Sequence, residues 1–138
     1  MADFFSTLVY APEDIITFQH GIPGFEKNRA FVLVNQPAYA PFEWLACVDG
    51  TRLRFAMVNP LLFVPDYAPK LSKEQLADLA IEKADDLLLY VIVTIRENPA
   101  ESTANLAGPI ILNKSARLGK QVIIEDDRYS TQEPILRK

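Results

Sequence analysis

Cysteine, histidine and positive charge are all scarce in this chain, and each scarcity removes a class of protein. The one cysteine, Cys47, excludes an intrachain disulfide. Its neighbours Leu45, Ala46 and Val48 mark it as a buried thiol in a strand, suited to a reducing compartment. The one histidine, His20, stands beside Gly21 at a turn and far in sequence from Cys47, so nothing pairs a nucleophile with a base. No Cys or His cluster and no EF-hand spacing is present, which leaves no metal and no cofactor to expect. Gly119 and Lys120 lack the leading glycine and the following Ser or Thr of a phosphate loop, and no GxSxG elbow occurs. The expectation is a protein that is not an enzyme.

Lys and Arg number 14 against 18 Asp and Glu, for a formal charge of −4. There is no overall positive field to hold phosphates, and the balance favours a basic protein partner over direct nucleic-acid binding. The longest strongly apolar run, Leu87 to Val93, falls short of the roughly 20 residues a membrane helix needs. Met1 to Tyr10 lacks the basic region and cleavage site of a secretory signal. A cytoplasmic protein without membrane contact is expected.

Apolar bulk is plentiful. Hydrophobic residues make up 49% of the chain, including eight Phe and five Tyr, enough to fill one core spanning residues 1–138. Apolar segments recur at Phe4 to Tyr10, Ile15 to Phe18, Phe31 to Val34, Trp44 to Val48, Leu53 to Val58, Leu87 to Ile95, Ile110 to Leu112 and Gln121 to Ile124. Turn residues separate them, which predicts a mainly β chain. Gly21, Ile22, Pro23 and Gly24 read as a stiff connection between two strands, because the glycines accept positive φ and the proline fixes its own. A GxxG clamp on a nucleic-acid backbone is the alternative, but its central positions here are an aliphatic residue and a proline.

Asp49 and Gly50 predict a tight hairpin of two or four loop residues. That facing sets Trp44, Ala46, Val48, Leu53, Phe55 and Met57 on the core side and Arg52 and Arg54 on the other, so stacking and charge would not cooperate on nucleic acid. A three-residue loop would break this register. Ser72 with Gln75 makes a capping box and Leu71 with Leu76 a hydrophobic staple, predicting one short helix over the sheet. The odd positions of Leu87 to Ile95 form a buried face, with the helix, or as the alternative a partner, expected over the even one. Asp85 with Asp86, and Glu125, Asp126 and Asp127, read as solvated turns, the second also as a patch for a basic partner. Residues 130–138 are expected to form a flexible tail.

Five markers stand in register along the chain: GIPGFE at Gly21 to Glu26, PFEWL at Pro41 to Leu45, Asn59 and Pro60 ahead of Phe63, Pro65, Asp66 and Tyr67, NLAGPIILN at Asn105 to Asn113, and QVII at Gln121 to Ile124. From about Ile15 to Tyr129 the chain resembles the flagellar assembly factor FliW family. Ala46 and Cys47 depart from the polar pair common there, and Gly108 from an alanine. The resemblance implies a small antiparallel β-barrel-like domain with one short helix, without catalysis, monomeric when unbound. It implies two protein partners: flagellin, and the RNA-binding translational regulator CsrA, which the factor antagonises so that flagellin translation follows export. The candidate contacts are the polar or exposed ends of the markers, Phe25, Glu26, Asp66, Tyr67, Asn105 and Asn113, together with the patch of Glu125, Asp126 and Asp127 with Tyr129. The alternative function is a small nucleic-acid-binding β-barrel.

Overall fold

The computed structural model describes residues 4–135. Its strands are β1 (Ile16–Thr17), β2 (Ala30–Val34), β3 (Glu43–Cys47), β4 (Arg54–Val58), β5 (Leu87–Thr94), β6 (Thr103–Ala104), β7 (Ile110–Asn113), β8 (Leu118–Gln121) and β9 (Glu133–Pro134). One α-helix, α1 (Lys73–Asp78), is present among the described residues. The strand order β4-β3-β2-β1-β8-β7-β5 closes on itself where β5 pairs with β4, through Ala56 opposite Val93 and Val58 opposite Val91. The result is a closed seven-strand β-barrel, with β6 and β9 added beyond the end of β5. All pairings are antiparallel except β1 with β8, which meet in parallel at Thr17 and Leu118.

Side chains alternate across each strand, and one alternate set fills the barrel. Phe31, Leu45, Cys47, Met57, Tyr90, Ile110 and Leu112 meet Ile16, Phe18 and Ile22 there, all buried. Burying one such side chain contributes roughly 1.5–3 kcal/mol. Gly119 makes room for Phe18, since a Cβ on that glycine would stand 2.4 Å from the ring. Phe4 to Tyr10 forms no strand; Phe4 to Thr7 make a turn.

Both faces of β5 are covered, but the other way round from the sequence expectation. Leu88, Tyr90 and Ile92 point into the barrel, whereas Leu87 and Leu89 pack outward against Leu79 at the end of α1 and against Ile111. The helix therefore covers the odd face. It begins as expected: the Ser72 hydroxyl accepts from the Gln75 N–H at 3.1 Å and the Gln75 carboxamide accepts from the Ser72 N–H at 2.8 Å.

The Gly-Pro connection joins β1 to β2. Gly21 has φ 66° and Gly24 φ 90°, and Ile22 bridges Phe25 across the turn. A Cβ at Gly21 would lie 2.5 Å from the Glu26 Cα.

The β3–β4 hairpin corrects the expected register. Leu45 faces Phe55, Trp44 faces Ala56, and Ala46 faces Arg54. The loop is thus odd in length, and Trp44 shares a face with Arg54 while Phe55 turns inward. The cause is side-chain chemistry. Asp49 accepts from the Thr51 N–H and hydroxyl, Arg52 takes φ 63° beside Gly50 at φ 94°, and Asn28 donates to Asp49 at 2.9 Å and to Thr51 at 3.0 Å. These contacts stabilise a loop one residue out of step with a type I′ turn.

Two further expectations are corrected. The Ser130 carbonyl accepts from Leu106 N–H and β9 pairs with β6, so the segment expected to fray is held on the sheet as far as Ile135; residues 136–138 lie outside the described residues. Asp86 is buried instead of solvated, with the Ser115 hydroxyl donating to its carboxylate at 2.6 Å.

Candidate partner-binding surface

Three segments distant in sequence meet on one side of the barrel: the loop from Asp66 to Lys70, the stretch after β6, and the turn from Asp126 to Ser130. Tyr67 is buried at 4% exposure, and its hydroxyl donates to the Leu106 carbonyl at 2.6 Å. Its ring meets that of Tyr129 edge to face at 4.7 Å, and the Tyr129 hydroxyl accepts from the Ala68 N–H at 3.0 Å. Burial, and to a lesser extent the neighbouring Tyr129, push the Tyr67 phenol far above its ordinary value. The paired tyrosines are the hinge pin of this surface.

Beside them, Arg128 makes a fork to Asp126, with Nη2 at 2.8 Å and Nε at 3.1 and 3.2 Å from the carboxylate oxygens. Asp126 also accepts from the Arg128 N–H at 3.0 Å. The hydrogen bonds from Arg128 hold the Asp126 carboxyl down at about 2. Asp66 lies near enough to Arg128 to add to its field. Glu125 and Asp127 are exposed and enter no ion pair among the described residues. The exposed negative charge of the patch is therefore carried by Asp66, Glu125 and Asp127, with Lys70 beside them as an exposed cation.

The remaining candidates divide. Asn105 adjoins the tyrosine pair in sequence through Leu106, and its buried Oδ1 finds no hydrogen-bond partner among the described residues. Asn113 is 2% exposed and serves the fold: its Nδ2 donates to the Leu79 and Ala80 carbonyls at 2.8 and 3.1 Å, and its Oδ1 accepts from Ser115 and Ala116. It anchors the end of α1 to β7, and the expectation that it is an exposed motif end is corrected. Tyr67, equally buried, reaches the surface only through Tyr129. Phe25 stands elsewhere, 40% exposed and packed edge to face on Phe55 at 5.3 Å. Glu26 beside it accepts from the Gly24 N–H at 3.2 Å, closing the turn.

Two surface features escaped the sequence reading. An apolar hollow of about 220 Å³ is lined by Pro41, Phe42, Val58, Leu62, Phe63 and Ile135, and Phe42 and Ile135 also line a second of about 160 Å³ with Val93, Ile95 and Pro99. Leu61 and Leu62, adjacent leucines in a turn after Asn59 and Pro60, were the available signal, since a turn seldom carries exposed leucines without use. The other is Arg54, whose guanidinium lies 4.1 Å from the Trp44 ring centroid and 4.4 Å from that of Phe4. Charge and aromatic surface thus share a face, contrary to the expected register.

Fold and surface together define a small closed-barrel protein whose polar and aromatic side chains gather on loops outside the barrel. The family model described as "FliW protein" matches residues 2–135, and the chain belongs to that family. It is 39% identical over 133 residues to the flagellar assembly factor FliW of Thermoanaerobacter pseudethanolicus, covering 96% of this chain and 89% of that one. Identity to the protein of the same name from Alkaliphilus metalliredigens is 40% over 125 residues, 90% and 77% of the two chains. The crystal structure of a flagellar assembly factor FliW superposes with a TM-score of 0.88 at 36% identity, over 95% of this chain and 92% of that one.

Proposed function

We propose that this chain is a non-catalytic flagellar assembly factor of the cytoplasm that binds flagellin and antagonises the translational regulator CsrA, so that flagellin synthesis follows flagellin export. The observation that carries this reading is the family match across residues 2–135 together with relatives named flagellar assembly factor. The charge pattern supports it, because an RNA-binding regulator is basic and the exposed Asp66, Glu125 and Asp127 would speed its approach, an effect that weakens with salt. Phe25, Glu26, Asn105 and Tyr129 complete the contact set proposed for the two partners.

A pull-down from cytoplasm with the tagged chain tests the reading. Recovery of flagellin or of a small basic RNA-binding dimer supports it, and recovery of neither opposes it. If antagonism works by coupling between separate sites, RNA weakens binding of the factor by the same ratio that the factor weakens RNA binding. Equal affinities for the regulator with and without saturating RNA would exclude that mechanism.

A second reading, direct binding of single-stranded nucleic acid, is favoured by Arg54 lying on Trp44. The ring of Phe4 on the same guanidinium closes the cluster to an incoming base. A gel shift with single-stranded RNA at low salt separates the readings, since only this one requires the isolated chain to bind.

A further inference from the structure

The segment from Phe4 to Tyr10 lies against the β3–β4 hairpin and is fastened there by two consecutive rings. The Arg54 guanidinium is 4.4 Å from the Phe4 ring centroid and 4.1 Å from that of Trp44, and these two rings are themselves 5.9 Å apart. The Arg52 guanidinium is 5.2 Å from the Phe5 ring. Two hydrogen bonds fold the segment on itself: the Leu8 N–H donates to the Phe5 carbonyl at 3.3 Å, and the Thr7 hydroxyl to the Phe4 carbonyl at 3.1 Å. Open space adjoins it. A hollow of about 250 Å³ lies among Leu8, Tyr10, Val48 and Arg52, another of about 440 Å³ among Leu8, Val9, Leu33 and Val34, and Val9 is 93% exposed.

The indole on which Phe4 and Tyr39 pack carries an unmet donor. Its N–H is buried and has no acceptor among the described residues. A buried donor left unpaired costs about as much as a few exposed cation–π and ring contacts contribute, so the closed arrangement is held by a narrow margin. An oxygen brought to that N–H would stabilise the open one.

The covered groups share one chemistry. A nucleic-acid base stacks on a guanidinium or an indole plane as the Phe4 ring does here, and an oxygen of the base or phosphate accepts from the indole N–H. We infer that Phe4 to Tyr10 is an autoinhibitory strap over a latent site for single-stranded nucleic acid, its two rings standing where two unstacked bases would bind. Closed, the strap keeps the intact chain off RNA, so the site stands beside the proposed function and does not rest on it. The formal charge of −4 supplies no long-range attraction, and binding in the open state comes from stacking. A duplex, whose bases are already stacked, is not a ligand.

The test uses the full chain carrying Phe4→Ala with Phe5→Ala, both half-buried positions outside the barrel strands, and octauridylate at low salt. Trp44 is the one tryptophan, so its fluorescence reads the site directly. Acrylamide should quench it more steeply in the variant than in the parent. Octauridylate should bind the variant at least about tenfold more tightly than the parent, the effect of removing two competing cation–π contacts. Arg54→Ala added to the variant should return the affinity to the parent's. Phe4→Leu with Phe5→Leu keeps the apolar bulk without the ring attraction; it should gain affinity in the same direction, and it carries the test if the alanine pair unfolds. An affinity no higher than the parent's in the folded variant, equal acrylamide quenching, a gain that survives Arg54→Ala, or equal binding of base-free polyphosphate would each overturn the inference.

Discussion

Tyr67, Asn113 and Asp126 are all polar candidate contacts, and their surroundings give them three different tasks. Tyr67 donates to a buried carbonyl, so Tyr67→Phe leaves Leu106 unpaired and should cost about 1–3 kcal/mol in urea unfolding. Its folded pKa is raised, so the protonated phenol's contribution is complete below the ordinary tyrosine range and is lost as pH rises through and beyond it. The stability gap between the parent and Tyr67→Phe should therefore narrow above pH ~10, where an unfolded tyrosine ionises. Asp126 has the opposite sign. Its carboxyl is held at about 2, so its pairing with Arg128 is intact above the usual carboxylate range and is lost as pH falls through that value. Carboxyl NMR titration should show this midpoint, and Arg128→Gln should return it toward the usual range.

At the scale of elements, close approach decides more than propensity does. β8 carries Gly119 because the Phe18 ring occupies the place of a Cβ, with Leu112 at 2.8 Å on another side. Gly119→Ala should therefore destabilise the barrel by about 1–3 kcal/mol through overpacking, read as a lower denaturation midpoint with an unchanged slope. The capping box of α1 was legible because its residues lie three apart and act locally. The β3–β4 register was not legible. Its loop depends on Asn28, which lies in the connection before β2 and reaches Asp49 and Thr51 only after the strands have paired. Asp86 misled for the same reason: its partner Ser115 comes from the turn after β7.

For the molecule as a whole, the formal charge of −4 matters through where it is exposed. Asp126 is matched by Arg128, so reversing it would break the turn as well as the field. Glu125→Lys with Asp127→Lys changes the field alone. This pair of substitutions should slow association with a basic protein partner at low salt and leave thermal stability nearly unaltered. Stopped-flow rates that match the parent at low salt would remove the patch from the interface.

The chain by itself determined the β pattern, the β1–β2 turn, the single helix with its cap, the buried thiol and the five markers of the FliW family. Each rests on residues close in sequence or on a pattern read in order along it. The barrel was legible only through the family resemblance, and tertiary structure alone decided that Trp44 shares a face with Arg54. It also decided that Asn113 anchors a helix, and that Tyr67, Asp126 and Tyr129 form one surface. These depend on contacts between segments tens of residues apart, where packing space and unmet hydrogen-bond groups select among arrangements that local preference leaves nearly equal in energy.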